Sequence, residues 1–512
     1  MNFLSIVYAS QEITEVHKKN EQSPHFFVDL NLDRVINAIL HGREEYNLKE
    51  IFFSPLKYIS DIYYRQGVIQ DIAEQTLYQS LISFSSAMKK IQEISHKKEY
   101  QYYHYQKRRW DLESILLYCD AVTELENSLQ SISLTSCGMT NFRTFLSGYV
   151  GGEEFIVLYQ TAKEIKTKIE GIQYSMRIKG DSVTIKSYHS EINYSDEILS
   201  VFGKFRQHSS TEEKDIHSQE LRMNNLEARI LDAVASLFQN IFSELDDFIS
   251  KNVAFQNETL KRFDREVQFY LACIEYFRML RLHGIAACIP ELTQDRKAIF
   301  ASDACDISLA ESLRNTQEKI VFNDFYLQKQ ERIMVISGPN QGGKTTFARM
   351  VGQLHYLALL GIYVPAREAR LFLVDDIYTH FENSENIHNL RGKLYDDLVR
   401  MKNILDVATS RSLIIMNEIF TSTTTRDAIY LGSMVTQKVI ALDALCVLVT
   451  FIDELTKISP SIVSMLSCVE HGNEAVRTYK IIRKKADGVA WSQTLVDKYH
   501  LNRDDIKARI KS

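Results

Sequence analysis

Residues 333–350 read IMVISGPNQGGKTTFARM. The apolar, largely β-branched run at its start predicts a buried strand, the residues from Lys344 onward predict a helix, and a glycine-rich turn joins them. Gly338 through Thr345 satisfies the pattern G-x-x-x-x-G-K-[ST] in the strand-to-helix setting that gives it meaning. Small residues there let successive backbone N–H groups wrap phosphate oxygens, and the helix N-terminus adds positive dipole. Lys344 supplies a point charge, and the Thr345 hydroxyl can ligate magnesium. Gly338, Pro339, Asn340, Gln341, Gly342, Gly343, Lys344 and Thr345 are therefore candidates for holding the phosphates of a nucleotide.

Outward from this stretch, RLFLVDDIY (370–378), SLIIMNEI (412–419) and ALCVLVTF (444–451) are short apolar segments separated by helical ones. They predict buried parallel strands of an α/β domain that begins near Ile320. One of these strands ends in Asn417 and Glu418. In a P-loop enzyme a strand-end acid holds magnesium through water, and the next carboxylate orients the attacking water. Glu418 fits the second role and is the candidate catalytic residue. Asn417, grouped with Thr345 as a candidate metal residue, offers a neutral amide and hence less electrostatic hold on the ion.

Before residue 320 the chain reads as helical. Only six prolines occur in 512 residues, and none lies between Pro55 and Pro290, so few positions there forbid a helix. The spacing of Ile230, Val234, Leu237, Ile241, Leu245 and Phe248 predicts one long helical stripe, and a second helix is expected from about Glu258 to Leu282, the two forming an antiparallel lever. SMRIKGDSVTIKSYH (175–189) alternates β-branched and polar residues around Gly180 and Asp181, which predicts a hairpin. A chain of 512 residues exceeds one hydrophobic core, so several domains are expected. A net charge of -6 provides no overall positive field that would advertise nucleic acid. The seven cysteines are scattered without metal-ligand spacing and read as free thiols in a reducing compartment. The first residues lack a basic leader and no apolar run reaches about 18 residues, so a cytoplasmic protein without a membrane span is expected.

Taken together, these segments resemble the MutS family. GPNQGGKTTFARM (338–350) is similar to its Gly-Pro-Asn-x-Gly-Gly-Lys-[Ser/Thr]-Thr loop, and NEIFTSTTTRDA (417–428) to its Asp-Glu-Ile strand end and Thr-Ser-Thr-x-Asp loop. VTFIDELTKI (449–458) resembles its Ala-Thr-His-x-x-Glu-Leu-Thr segment, and GIYVPAREARL (361–371) its Gly-x-x-Val-Pro-Ala stretch. PLKYISDIYYRQGVIQDI (55–72) looks more loosely like the Pro-Leu and Arg-Gln-x-x-Val segment of its lever. The resemblance implies a multidomain protein, an all-α lever arm with a small β-containing clamp insertion followed by an α/β ABC-type P-loop ATPase domain. On this reading residues 1–150 form the first part of the helical core and lever, 151–200 a reduced clamp-like insertion, 201–300 the long lever helices, and 301–512 the ATPase and dimerisation domain. Too little chain precedes the lever for the mismatch-reading domain of the family, with its Phe-x-Glu wedge, so that domain is expected to be missing.

The resemblance further implies ATP and Mg2+ as cofactors, a homodimer that sandwiches ATP, and DNA held by sequence-independent backbone contacts in repair or recombination. By position, Thr346 would join Asn340, Gly342, Gly343, Lys344 and Thr345 in binding phosphate and magnesium, Thr423, Thr424 and Asp427 would face the partner subunit, and residues flanking Asn323 in KIVFNDFYL (319–327) would pack on the adenine. Three features depart from the family pattern, the third of them two residues long. Asn417 stands for the metal-holding Asp, Phe451 for the His that senses the γ-phosphate, and Gly392 and Lys393 for the Ser and Thr of the trans signature, where Arg391 or Lys393 would supply charge instead. Loss of a transition-state donor costs on the order of 100- to 1,000-fold in rate, so ATP binding with slow hydrolysis is expected.

Lys163, Lys166, Lys168, Arg177, Lys179 and Lys186 outnumber the acids around the hairpin. Alone they read as a solvated surface; the resemblance assigns Lys166, Lys168, Arg177 and Lys179 to DNA phosphates. YYHYQKRRW (102–110) reads as packing rings with a solvated basic edge, His471 as a residue without metal partners, and YHLNRDDIKARI (499–510) as a terminal helix. A competing expectation is a nucleotide-gated dimeric scaffold that holds a protein or RNA partner with little or no hydrolysis.

Overall fold

The computed structural model describes residues 3–10, 22–100, 102–180, 182–189, 223–295, 297–314, 316, 318–381, 392–470, 473–485 and 506–507. Asp181, Arg391, His471 and nearly all of the expected terminal helix lie outside them. The chain divides into two compact units, one formed by Gln79–Ser133 and Arg143–Asp264, the other by Asn2–Tyr78, Leu134–Phe142 and Arg265–Ser512. The protein is thus multidomain, with helices and mixed sheets. Among the described residues no helix is long and apolar enough to cross a membrane.

The first unit is mainly helical. Helices His104–Ser131, Glu153–Glu170, Asn225–Leu237 and Gln239–Lys251 pack there, with β1 (Tyr174–Lys179) and β2 (Ser182–Ser187) forming an antiparallel hairpin. Sidedness follows from the register, which pairs Ser175 with Lys186, Met176 with Ile185 and Ile178 with Val183. Because strand side chains alternate between faces, Arg177, Lys179 and Lys186 share one face, and Met176, Ile178, Val183 and Ile185 the other. Ile185 closes a cluster built on Val234, Ala235 and Phe242, which anchors the hairpin by its apolar side.

The single long helix expected over residues 226–248 is corrected to two. The backbone turns out of helical geometry at Phe238 (φ -112°, ψ 40°), so Leu237 is left exposed. The physical reason is local packing: Phe238 joins the cluster of Val234 and Phe242, while Tyr105 meets Phe242 edge-on at 4.9 Å. Helix Glu258–Leu282 matches its expected span. In the 102–110 stretch Tyr105 packs on Phe242, but Tyr102 is exposed, and His104 and Arg108 both contact Asp246 at 2.8 Å. The expectation of packing rings beside a solvated basic edge therefore holds only in part.

The second unit carries β3 (Glu291–Thr293), β4 (Ile299–Ala304), β5 (Asn323–Leu327), β6 (Ile333–Ser337), β7 (Glu368–Phe372), β8 (Ile377–His380), β9 (Leu413–Asn417), β10 (Leu445–Val449), β11 (Ile462–Glu470) and β12 (Asn473–Arg483). Six of these form a sheet ordered β12-β11-β6-β10-β9-β8, and four another ordered β3-β7-β4-β5. β6 and β10 are buried at every residue, as strands covered on both faces must be. RLFLVDDIY is corrected from one strand to two: β7 joins the smaller sheet and β8 the larger. The Asp375-Asp376 corner between them is held by Ser412 Oγ, which donates to the Asp375 carboxylate at 2.8 Å. The sheets are also not purely parallel, since β12 runs antiparallel to β11 and β4 antiparallel to β5 and β7.

Helix Lys344–Leu359 is buried along most of its length and is fixed at both ends. At its C-terminus the fully buried Arg65 donates to Leu360 O at 3.2 Å and to Val7 O at 2.9 Å. The 55–72 segment therefore caps the helix that starts at the candidate site, satisfying carbonyls a helix end leaves open. In mid-helix Gln353 donates to Asp306 at 2.8 Å and accepts from Ile307 N at 2.9 Å, seating helix Ile307–Leu313 beside it.

Candidate nucleotide-binding site

The Gly338–Thr346 loop leaves β6 and enters helix Lys344–Leu359 with an alternation of left-handed residues. Gln341 has φ 58° and Gly343 φ 85°, a backbone form in which successive N–H groups converge on one point and make an anion-binding concavity. A cavity of about 410 Å³ opens at this concavity, with Asn340 through Phe347 on its floor, Glu418 at one side and Tyr479 at another. Leu309, Leu313 and Met350 supply an apolar wall. Phosphates suit the floor and an apolar ring suits the wall.

Lys344 is buried, and its ammonium donates to Gly338 O and Pro339 O at 3.0 Å each. Burial pulls its pKa down to about 8, opposed by the Glu418 carboxylate and reinforced by Arg477. The same ammonium lies 4.2 Å from the centre of the Phe451 ring, which offers it a π face but no hydrogen-bonding group. Thr345 donates its hydroxyl to Asn417 Oδ1 at 2.9 Å. These two neutral oxygens fit a magnesium ion carried in by nucleotide phosphates, as auxiliary partners rather than as an all-protein cage. Glu418 sits at φ 56° with its N–H bonded to Val449 O at 2.9 Å, so the turn after β9 projects its carboxylate beside the loop.

The structure thus brings together Asn340 through Thr346, Glu418 and, through Thr345 and Lys344, Asn417 and Phe451. Gly392, Lys393, Thr423, Thr424 and Asp427 do not line the cavity. Gly392 caps helix Lys393–Val407, and Thr424 caps helix Thr425–Leu442, exchanging bonds with Asp427 at 2.8 and 3.2 Å. Asn323 is buried and structural: its amide accepts from Ile481 N at 2.7 Å and donates to Tyr479 O at 3.1 Å, tying β5 to β12. Asn323 and its neighbours Ile320 and Val321 all line the cavity.

Three functional neighbours escaped the sequence. Ser467 donates to Gly342 O at 2.7 Å, Arg477 donates to Asn340 O at 3.2 Å, and Tyr479 approaches Gly343. All come from the β11/β12 hairpin, more than a hundred residues downstream, and no local pattern announces them.

The family described as MutS domain V matches residues 334–493. The DNA mismatch repair protein MutS of Thermotoga maritima is 27% identical over 253 residues, covering 48% of this chain and 31% of the relative. That of Syntrophomonas wolfei is 33% identical over 177 residues, covering 33% and 21%, and that of Chlorobium phaeovibrioides 26% identical over 279 residues, covering 53% and 30%. The matches span about a third or less of the length of these curated relatives. The domain match, the named relatives and the loop geometry agree, and residues 334–493 form a domain of the MutS domain V family.

Proposed function

We propose that this protein is an ATP-dependent DNA-binding clamp of the MutS type, acting in DNA repair or recombination as a homodimer, with slow ATP hydrolysis. The observation that carries the reading is the phosphate concavity: left-handed Gln341 and Gly343 with the Lys344 ammonium buried beside them. Gly338 through Thr346 hold the phosphates. Thr345 and Asn417 assist a nucleotide-borne Mg2+, and Glu418 orients the attacking water. Residues 1–150 and 201–300 serve as core and lever, 151–200 as the clamp, and 301–512 as the ATPase and dimerisation domain, with Gly392, Lys393, Thr423, Thr424 and Asp427 facing the second copy.

Slow turnover follows from side-chain chemistry. Asn417 brings no charge to the metal, and Phe451 brings no donor to the γ-phosphate. Each missing electrostatic contact of this kind costs on the order of 100-fold or more in rate. DNA contact is supported by the hairpin, whose register gathers Arg177, Lys179 and Lys186 on one face. Lys168 and Lys166 are weaker contributors, because Glu244 holds Lys168 at 2.6 Å and Glu170 stands 3.8 Å from Lys166.

The deciding experiment measures binding of homoduplex, mismatched, branched and single-stranded DNA, with and without ATP, at several salt concentrations, using Lys344→Ala as the nucleotide control. DNA binding that weakens steeply with salt and responds to ATP only in the wild type is the expected result. A folded dimer that binds ATP and no form of DNA at low salt replaces the clamp with a nucleotide-gated scaffold.

A further inference from the structure

The β11/β12 hairpin touches the phosphate loop at two carbonyls and nowhere by chance of sequence proximity. Ser467 Oγ donates to Gly342 O at 2.7 Å, and Arg477 Nε donates to Asn340 O at 3.2 Å. A trans peptide holds its C=O and the following N–H on opposite sides. Fixing the carbonyls of Asn340 and Gly342 outward therefore turns the N–H groups of Gln341 and Gly343 the other way. Those two residues are the left-handed members of the alternation, at φ 58° and 85°, and their N–H groups are the donors such a concavity aims at an anion.

The hairpin is shaped for this contact. β11 lies parallel to β6, with Leu466 beside Ser337 at the strand's last residue before the loop. Immediately after, the β11/β12 register shifts between Ser467 and Val469 and again between Val469 and Glu470. Irregularities of this kind re-aim a side chain out of the regular alternation. Ser467 is fully buried and so close that a Cβ on Gly342 would stand 2.3 Å from its hydroxyl oxygen, and one on Gly338 2.9 Å from its Cβ. Arg477 is half-buried across the hairpin, paired in register with Val469, and its charge is felt by Lys344.

We infer that Ser467 and Arg477 are positioning residues for nucleotide phosphate, bracing the loop from outside so that the Gln341 and Gly343 N–H groups are preset toward the bound oxygens. The inference rests on the reading of this cavity as a nucleotide site. Neither residue touches the nucleotide on this account; both act through the backbone of the loop.

The test uses the full chain and the variants Ser467→Ala and Arg477→Met, the latter keeping the aliphatic stem. Affinity is measured for adenosine, ADP and a non-hydrolysable ATP analogue, together with the phosphorus-31 resonances of bound ADP. Each variant should bind ADP and the analogue about tenfold more weakly, leave adenosine affinity unchanged, and move the β-phosphate resonance. Arg477→Lys, which restores a donor on a flexible stem, should recover part of the loss. Both variants folded, with analogue affinity within about twofold of wild type and an unmoved β-phosphate resonance, would overturn the inference. If adenosine and the analogue weaken equally, the residues support the fold only and the inference fails as well. Absence of triphosphate binding by the wild type is a different failure, that of the nucleotide site itself. Should Arg477→Met not fold, Ser467→Ala decides the matter alone.

Discussion

Thr345 and Asn417 are joined by a hydrogen bond of 2.9 Å from hydroxyl to amide oxygen, linking the first turn of the phosphate-loop helix to the end of β9. On the proposed function these two uncharged oxygens would support a divalent cation carried by nucleotide, and neutral ligands hold magnesium less firmly than carboxylates do. Asn417→Asp should therefore lower the magnesium concentration needed for half-maximal ATP binding. Combined with Phe451→His, it should raise steady-state turnover by at least about 100-fold. An ATPase assay across a magnesium titration checks both, and an unchanged magnesium requirement in Asn417→Asp would remove this site from metal binding.

The Lys344 ammonium gives a pH signature. Burial sets its pKa at about 8 in the folded protein, below the ordinary value of 10.5. Phosphate favours the charged form, so nucleotide affinity should be full below that value and fall as pH rises through it, by at most about tenfold per unit for one proton. Stability runs the opposite way: the unfolded chain binds the proton more tightly, so this group disfavours folding below pH 8 and the loss is recovered between 8 and 10.5. Calorimetric titration of ATP at several pH values, with Lys344→Met as the variant that should lose the trend, measures it.

Much of this site was legible in sequence because its parts are contiguous or strand-terminal. Gly338 through Thr346 form one string, and Asn417 and Glu418 end an apolar run whose burial follows from composition. What stayed hidden depends on long-range register. Ser467 and Arg477 reach the loop only because β11 pairs with β6 and then slips against β12, and neither pairing leaves a local period. The split of RLFLVDDIY into two sheets was illegible for a related reason: an apolar run predicts burial, while the Asp375 contact with Ser412 that breaks the strand is made by a distant residue. The break at Phe238 similarly follows from aromatic packing, which spacing of apolar residues does not encode.

Gly342 allows a double-variant test of the brace. A Cβ there would meet Ser467 Oγ at 2.3 Å and Pro339 O at 3.0 Å, so Gly342→Ala should destabilise the protein by about 1–3 kcal/mol in denaturant unfolding. Removing the hydroxyl relieves the nearer clash. Gly342→Ala in a Ser467→Ala background should consequently cost less than the same change in the wild type, a non-additivity of about 0.5 kcal/mol or more being normal for residues in contact. Strict additivity would mean that the two side chains do not meet.

Variants on the hairpin face would tell the proposed phosphate contacts from ordinary surface charge. Arg177 and Lys179 share a face with Lys186 by register, opposite the apolar side that packs on Val234 and Phe242 through Ile185. Substituting them leaves that packing intact. Each phosphate contact contributes about 0.9 to the slope of log affinity against log salt, so Arg177→Ala with Lys179→Ala should reduce the slope by about 2 and weaken all DNA sequences alike. Lys168→Ala should leave the slope close to unchanged, because Glu244 holds that ammonium through both oxygens at 2.6 and 2.7 Å. Binding isotherms at four or more salt concentrations give the slopes. A wild-type slope in the double variant would place DNA elsewhere on the molecule, since the hairpin would then release no counterions.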